Sequence, residues 1–372
     1  MSGRDALNEP WMLGTLEVPN RVMLAPLAGI GNWFVRLQAK RYGAGMAVSE
    51  MVSSHAIHYG NEKTCTEMLR IDPRERSGGP VSIQLFGEDP AMMREAAAHV
   101  SDLGADAIDI NMGCPVPKVR RTGAGAALLA EPERALAVAR AAVEGAAGSG
   151  GRGGAGAAAI PVTVKLRSGV RPGDTSGFEL AQRLVQEAGV AAIAFHPRSA
   201  AVHHKGSPDY ELAGRLAAVL PAPMILSGGL GDAVQARAAF ERTGASAIML
   251  ARGALGNPWL FEELLRGRLE RPSGEEVAGE LAWTMDRAAE HLGEDRAGRY
   301  MRKFYPWYIQ RLQLEPAAAR GLQESLQSAA TLADARCLLE ICARTVRSRP
   351  DDGSEPRYTP ALAAASRSSH PR

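Results

Sequence analysis

Several short stretches of this 372-residue chain bring reactive side chain types close together. The stretch DINMGCP (109–115) sets an amide, Asn111, three residues before a thiol, Cys114, where an apolar run gives way to a loop containing Gly and Pro. A free thiol has a pKa of about 8.5, so at neutral pH most of it is protonated and able to act as a general acid. The alternative for Cys114 is a cysteine packed as a small hydrophobe. Cys65, Cys337 and Cys342 fall in helical or connecting segments, where that inert reading is favoured. No CxxC pair is present, so neither a disulfide framework nor a zinc knuckle is indicated.

In PVTVKLRSG (161–169), Lys165 and Arg167 interrupt an apolar run. A lysine there is costly unless it meets an anion, a carbonyl or water, and a Schiff-base lysine of the kind used by barrel aldolases is the alternative. His196 and Arg198 stand two apart in AIAFHPRS (192–199), a spacing that points both to one side of a strand as a donor pair. A histidine with only structural partners is the other reading. In SGGL (227–230) and LARGALGNPW (250–259), glycines permit close backbone approach and Arg252 offers a charge, which together suit a phosphate. The same glycines are open to a simpler role in tight turns. His203 and His204 lie side by side on a polar loop with Lys205, a poor ligand set, so no metal is expected. Basic residues cluster at Lys118, Arg120 and Arg121, and again at Arg299, Arg302 and Lys303, three and four apart on one helical face. Both clusters suit phosphates, although a solvated helix face also explains the second.

These residues need elements to position them. Eight apolar, β-branched runs alternate with helical periodicity: 21–28, 46–51, 80–87, 107–113, 161–169, 192–199, 223–230 and 247–254. Nearly continuous apolar runs suit strands buried on both faces. Helices are expected at 90–103, 131–146, 177–189, 209–219 and 232–243. Eight β/α repeats imply a closed (β/α)8 TIM barrel. Glu50, Gln84, Asn111, Lys165, His196, Arg198, Ser227 and Arg252 all fall toward the ends of their runs, the catalytic face of such a barrel.

The Gly/Ala-rich segment 145–159 reads as a flexible linker and lacks the GxxxxGK pattern of a nucleotide-binding loop. Helical periodicity then continues through 276–294, 297–313 and 317–346. The expected organisation is a barrel over 1–270, a C-terminal helical domain over 271–347 and a disordered tail over 348–372. With 45% hydrophobic and 23% charged residues, the chain has material for such a core. No apolar run approaches the roughly 18 residues of a bilayer span, so no membrane partner is expected and a cytoplasmic location follows. Net charge is +2 and 5% of residues are aromatic, so an RNA site would rely on local basic clusters rather than on rows of stacking rings.

Taken together, LAPLAG (24–29), VSEM (48–51), QLFG (84–87), DINMGCPVPKV (109–119), GAGAALL (123–129), PVTVKLRSG, HPR (196–198) and ARGALGNPW (251–259) resemble the tRNA-dihydrouridine synthase family. The NMGCP and KV…GAGAALL pattern is the most specific part. GRYMRKFYPWY (298–308) is similar to a helix of the bacterial B-type subfamily. The resemblance implies FMN at the barrel mouth, with Pro26, Leu27, Ala28 and Gln84 on the isoalloxazine and Lys165 and His196 near the ring. Ser227, Gly228, Gly229, Ala251 and Arg252 would hold the ribityl phosphate. It also implies that Asn111 and Arg198 contact the target uracil, that Cys114 donates the proton to C5, and that NADPH supplies the hydride delivered to C6. The basic residues Lys118, Arg120, Arg121, Arg299, Arg302 and Lys303 would then hold tRNA, with the D-loop as target and a monomer as the working form.

Two stretches depart from the family pattern. Ser-Gly-Gly at 227–229 replaces Asn-Gly-Asp, and Pro197 with HHKGSPDY (203–210) replaces the usual Gly and the aromatic and Gly downstream. An FMN barrel oxidoreductase of a free pyrimidine, similar to a dihydroorotate dehydrogenase, is the nearest alternative. An RNA-binding barrel without catalysis is a second.

Overall fold

The computed structural model describes residues 3–148, 159–268 and 270–347. The core of the linker expected at 145–159, and the tail expected at 348–372, lie outside the described residues. The chain forms two compact units: one runs to Ala254 and includes Leu260–Gly267, and the other comprises Leu255–Trp259 and the residues from Arg268 on.

The first unit opens with a short helix, Gly3–Asn8, followed by an antiparallel hairpin, β1 (Trp11–Leu13) and β2 (Leu16–Val18). Eight parallel strands then close a barrel: β3 (Val22–Leu24), β4 (Met46–Ser53), β5 (Val81–Phe86), β6 (Ala107–Met112), β7 (Val162–Arg167), β8 (Ala192–His196), β9 (Met224–Ser227) and β10 (Ala247–Leu250), with β10 pairing β3. The TIM barrel expected from the sequence is therefore present. Helices Pro90–Asp102, Pro132–Gly148, Ser176–Ala188, Tyr210–Val219 and Ala233–Thr243 agree with the expected five to within two residues at each end. Three of them start on an aspartate, Asp89, Asp209 or Asp232, whose carboxylate accepts from the backbone N–H three residues on. These caps fix where each connection stops and each helix starts.

Side chains alternate along a strand, so every second residue faces the barrel interior. Near the start of the strands most of those interior positions are apolar, Ser82 and Thr163 excepted: Met23, Met46, Ala107, Ala192, Ile225 and Ala247 share one cluster with Trp11, Leu13 and Val18 of the hairpin. The same parity carried toward the strand ends reaches Asp109 and Asn111 on β6, Lys165 and Arg167 on β7, and His196 on β8. One apolar floor thus supports a polar upper layer. On β4 the pairing with β5 slips between Val48 and Met51, a bulge that adds a residue and changes which side chains face inward. Beyond it, Met51 Sδ lies 3.7 Å from Asn111 Nδ2, and Glu50 Oε2 accepts from Gly29 N at 2.8 Å.

The second unit contains helices Gly274–Leu292, Glu294–Met301, Tyr305–Ile309, Pro316–Ser328 and Leu332–Arg347. The single helix expected at 297–313 is broken at 302–304. Pro306 explains the break, because its ring opposes helical continuity with the carbonyl four residues earlier. The helix expected at 317–346 is likewise two helices. Thr331 and Asp334 exchange side chain-to-backbone hydrogen bonds of 3.1 and 3.0 Å, a capping arrangement that starts a new helix. No helix among the described residues is long and apolar enough to cross a membrane.

Candidate active site

Asp109, Gln84, Asn111 and the Cys114 loop form a continuous hydrogen-bonded chain. Asp109 is 1% exposed; its Oδ1 accepts from Thr163 Oγ1 and its Oδ2 from Gln84 Nε2, both at 2.6 Å. Gln84, also 1% exposed, accepts on Oε1 from Asn111 Nδ2 at 3.0 Å. Asn111 Oδ1 then accepts the backbone N–H groups of Gly113 (3.1 Å) and Cys114 (2.9 Å). The loop carrying the thiol is thereby tied to β6. A second tie comes from Arg167, whose Nε donates to Gly113 O at 3.0 Å while its Nη1 donates to the carbonyls of Ser199 and His203. Cys114 itself is half-buried. Burial pushes the Asp109 carboxyl up to about 6, opposed by its bonds from Thr163 and Gln84 and by the charge of Lys165.

The part of the mouth that runs from the neighbouring strand β7 round to β10 is cationic. Lys165, Arg167, Arg198 and Arg252 make no ion pair with any described residue. Burial lowers the Lys165 ammonium to about 8, with Arg167 adding to the effect and Asp109 opposing it. Burial, then the neighbouring Arg198, lowers Arg167 to about 10. His196 is held well below the usual imidazole range by burial and by Lys165, Arg167 and Arg198. Its Nε2 lies 3.2 Å from Arg198 Nη1. A guanidinium can only donate, so this imidazole nitrogen accepts and the proton sits on Nδ1. A group of cations this crowded, with only the charge of Asp109 acting on Lys165 and no ion pair formed among the described residues, favours an anion.

The expected placement of His196 and Arg198 together on one strand is corrected: β8 ends at His196, because Pro197 has no N–H to continue the ladder. A tight turn, Arg198 N to His196 O at 2.7 Å, nevertheless brings the two side chains together. Arg198 Nε and Nη2 also hold Gly206 O, at 3.2 and 2.7 Å.

Beyond β9, Ser227 is buried and Gly228 and Gly229 adopt φ of +94° and +79°. A Cβ on Gly228 would collide with the His196 ring, and one on Gly229 would collide with Tyr210 Oη and approach Pro208 Cγ to 2.6 Å. Tyr210 Oη donates to Gly228 O at 3.1 Å. The two stretches that depart from the family pattern therefore meet here, and glycine at 229 makes room for the Tyr210 hydroxyl. The N–H groups of Gly228 and Gly229 have no partner among the described residues. Ala251 and Arg252 lie just past β10, where Arg252 opens a short 3-10 turn and is exposed. Pro26, Leu27 and Ala28 follow β3 in a turn closed by Gly31 N to Leu27 O at 2.7 Å.

Lys118, Arg120 and Arg121 are exposed on and just after the short helix Pro117–Arg120, directly beyond Cys114. The expected single helical face for Arg299, Arg302 and Lys303 is corrected by the Pro306 break: Arg299 is helical, whereas Arg302 and Lys303 lie in the turn, all three exposed. Lys303 Nζ sits 4.6 Å from the Tyr300 ring centroid. Sequence reasoning missed Asp109, Thr163 and Tyr210 as parts of the site. An acid in the middle of an apolar strand, two residues before Asn111, was the available signal for Asp109; Tyr210 left none.

The sequence profile of the family described as dihydrouridine synthase (Dus) matches residues 23–346. A protein of Rhodobacter capsulatus named probable tRNA-dihydrouridine synthase is 35% identical over 331 residues, 86% of this chain and 95% of its own length. The protein named tRNA-dihydrouridine synthase B in Xanthomonas axonopodis pv. citri is 34% identical over 307 residues, covering 80% of this chain and 86% of its own. Among solved structures, 2-naphthoyl-CoA reductase in complex with 2-naphthoyl-CoA aligns with a TM-score of 0.56 at 14% identity, over 72% of this chain and 53% of that one. Histamine dehydrogenase from Rhizobium sp. 4-9 aligns with a TM-score of 0.54 at 13% identity, over 76% and 51%. The chain spans about half the length of these two structures, and at such identities the likeness bears on the fold alone. With the profile covering all but the ends of the chain, this protein belongs to the dihydrouridine synthase family.

Proposed function

We propose that the tRNA-dihydrouridine synthase reaction of this chain, reduction of the uridine C5=C6 bond, uses FMN in the barrel mouth and NADPH as reductant, with Cys114 as the proton donor. The observation that carries this reading is the arrangement of the mouth: a thiol loop fixed by Asn111 and Arg167 on one side, and cations without counter-charges on the other. The residues fit FMN. Gly228 and Gly229 leave a cradle that any Cβ would fill, their N–H groups are available to a phosphate, and Arg252 adds a charge. Pro26, Leu27 and Ala28 would border the ring system, and Lys165 and His196 would face it. When bound and reduced, a flavin supplies hydride.

The chain's own groups do the rest. Cys114 Sγ holds the proton destined for uracil C5, and its loop is fixed before substrate arrives. As C6 is reduced, negative charge moves toward uracil O4, where Lys165 Nζ or a guanidinium N–H of Arg198 supplies a donor. Asn111 Nδ2 gives one hydrogen to Gln84 and the other to Met51 Sδ, a weak acceptor 3.7 Å away that a pyrimidine carbonyl would displace. The uridine leaves its stack to reach this depth, at a cost of a few kcal/mol, which Lys118, Arg120 and Arg121 offset by holding the RNA backbone. Likeness to a relative named tRNA-dihydrouridine synthase B supports tRNA as the substrate, and the D-loop is the part of it that we propose as target.

The test is to incubate the purified protein with FMN, NADPH and either unmodified tRNA or free pyrimidines, uracil and orotate. Dihydrouridine detected by mass spectrometry in the tRNA alone is the expected result. Reduction of a free pyrimidine with untouched tRNA would favour a small-molecule oxidoreductase.

A further inference from the structure

Asp109 lies below the reacting groups, yet its hydrogen bonds lead to the thiol loop. Its carboxylate can only accept, so the Gln84 amide must turn its NH2 toward it. That leaves Gln84 Oε1 facing Asn111, which in turn must present Nδ2. Asn111 Oδ1 is then the atom left for the loop, where it meets two N–H donors, Gly113 and Cys114. Those two backbone groups can only donate, so the loop imposes the same orientation from the other end. An amide flipped at either position would set acceptor against acceptor on one side of it and donor against donor on the other, leaving buried groups unpaired. Thr163, donating to the second carboxylate oxygen, holds Asp109 in place.

We propose that Asp109 is a positioning residue for the proton donor: through Gln84 and Asn111 it fixes the polarity of a hydrogen-bond relay that holds the Cys114 loop in its working geometry. The inference rests on Cys114 being the acid, and it touches neither RNA nor the FMN cradle at Gly228. The carboxylate's usefulness lies in accepting, at a buried position, from the Gln84 NH2 that the loop-matched orientation of the two amides turns toward it. A chain of this kind is sensitive to its weakest member, because a half-satisfied buried network loses more than one bond.

The test compares Asp109→Leu, which removes the acceptor at similar volume, with Asp109→Asn, which still offers one carbonyl oxygen to Gln84 and an NH2 to the Thr163 hydroxyl. Two readouts are taken on FMN-loaded protein: kcat and KM for dihydrouridine formation, and the rate at which iodoacetamide alkylates Cys114, resolved by peptide mass spectrometry with Cys65 as internal control. Asp109→Leu is expected to lose about 10²-fold in kcat, the scale of an ångström-sized misplacement, with KM for tRNA little changed. Its Cys114 alkylation should rise severalfold while Cys65 stays constant, and Asp109→Asn should recover most of the activity. Equal kcat in the two variants, or unchanged Cys114 alkylation in Asp109→Leu, would overturn the proposal. Loss of activity in Cys114→Ala with full activity in Asp109→Leu would overturn it while leaving the assignment of the acid intact.

Should Asp109→Leu fail to fold, Gln84→Glu decides. Two adjacent carboxyl groups can keep the relay only while they share a proton. Activity falling steeply with rising pH, beyond any fall in wild type, is the expected outcome, and a wild-type pH profile would overturn the proposal.

Discussion

The two sides of the barrel mouth solve opposite problems. On the β5–β6 side, every polar atom named in the relay from Asp109 to Cys114 has a partner, and the only charge within the relay is one carboxylate, with Arg167 reaching over from β7 to Gly113 O. On the β7–β10 side, Lys165, Arg167, Arg198 and Arg252 crowd together with no carboxylate paired to them. The first side is complete within the protein, as befits a part that only has to hold a thiol still. The second is electrostatically incomplete, as the proposed role of receiving an anionic cofactor requires. A site that divides its labour in this way should be separable by mutation.

The largest effect is expected at the thiol. Cys114→Ala should lower dihydrouridine formation by about 10²- to 10⁴-fold, the range of general-acid contributions, measured as product per tRNA by mass spectrometry. Next comes Gly228→Ala on the opposite side. With φ at +94° and the His196 ring in the way, a methyl group there should weaken FMN binding by about 10²-fold, from strain of order 3 kcal/mol. Fluorescence titration of apoprotein with FMN reads that change.

A pH effect follows in size. Lys165 is lowered to about 8 in the free protein, so its charge is lost as pH rises through that value. An anionic ligand favours the charged form, so FMN affinity should fall about tenfold per unit at most above pH 8; the slope should vanish in Lys165→Met. Folding stability should move the other way. The unfolded lysine keeps its proton to its ordinary value of 10.5, so between about 8 and 10.5 the unfolded state binds more protons and stability rises with pH. The smallest expected effect is that of Tyr210→Phe, which removes one hydrogen bond to Gly228 O, worth about 1 kcal/mol. FMN affinity should drop by at most about fivefold, by the same titration, in a protein that still folds.

Much of this was legible in the sequence for a physical reason: buried parallel strands write themselves as apolar runs, so polar residues at their ends stand out. Asn111, Cys114, Lys165 and His196 could be placed at the mouth on that ground alone. The helical unit was less legible, because periodicity continues across a break. Only Pro306 and the Thr331–Asp334 cap mark where those helices stop and start. The relay through Asp109 and Gln84 joins neighbouring strands by register, which no single stretch of sequence displays. The meeting of Tyr210 with Gly229 joins two loops, and it turns two separate departures from the family pattern into one local adjustment.

The most direct test of the division of labour is to measure FMN affinity and tRNA dihydrouridine formation on the same preparations of wild type, Cys114→Ala and Gly228→Ala. The expected result is a Cys114→Ala protein that binds FMN like wild type and yields almost no product, beside a Gly228→Ala protein whose defect is in FMN affinity and is relieved by excess FMN. A Cys114→Ala protein that still makes dihydrouridine at the wild-type rate, or one that loses FMN along with activity, would contradict it.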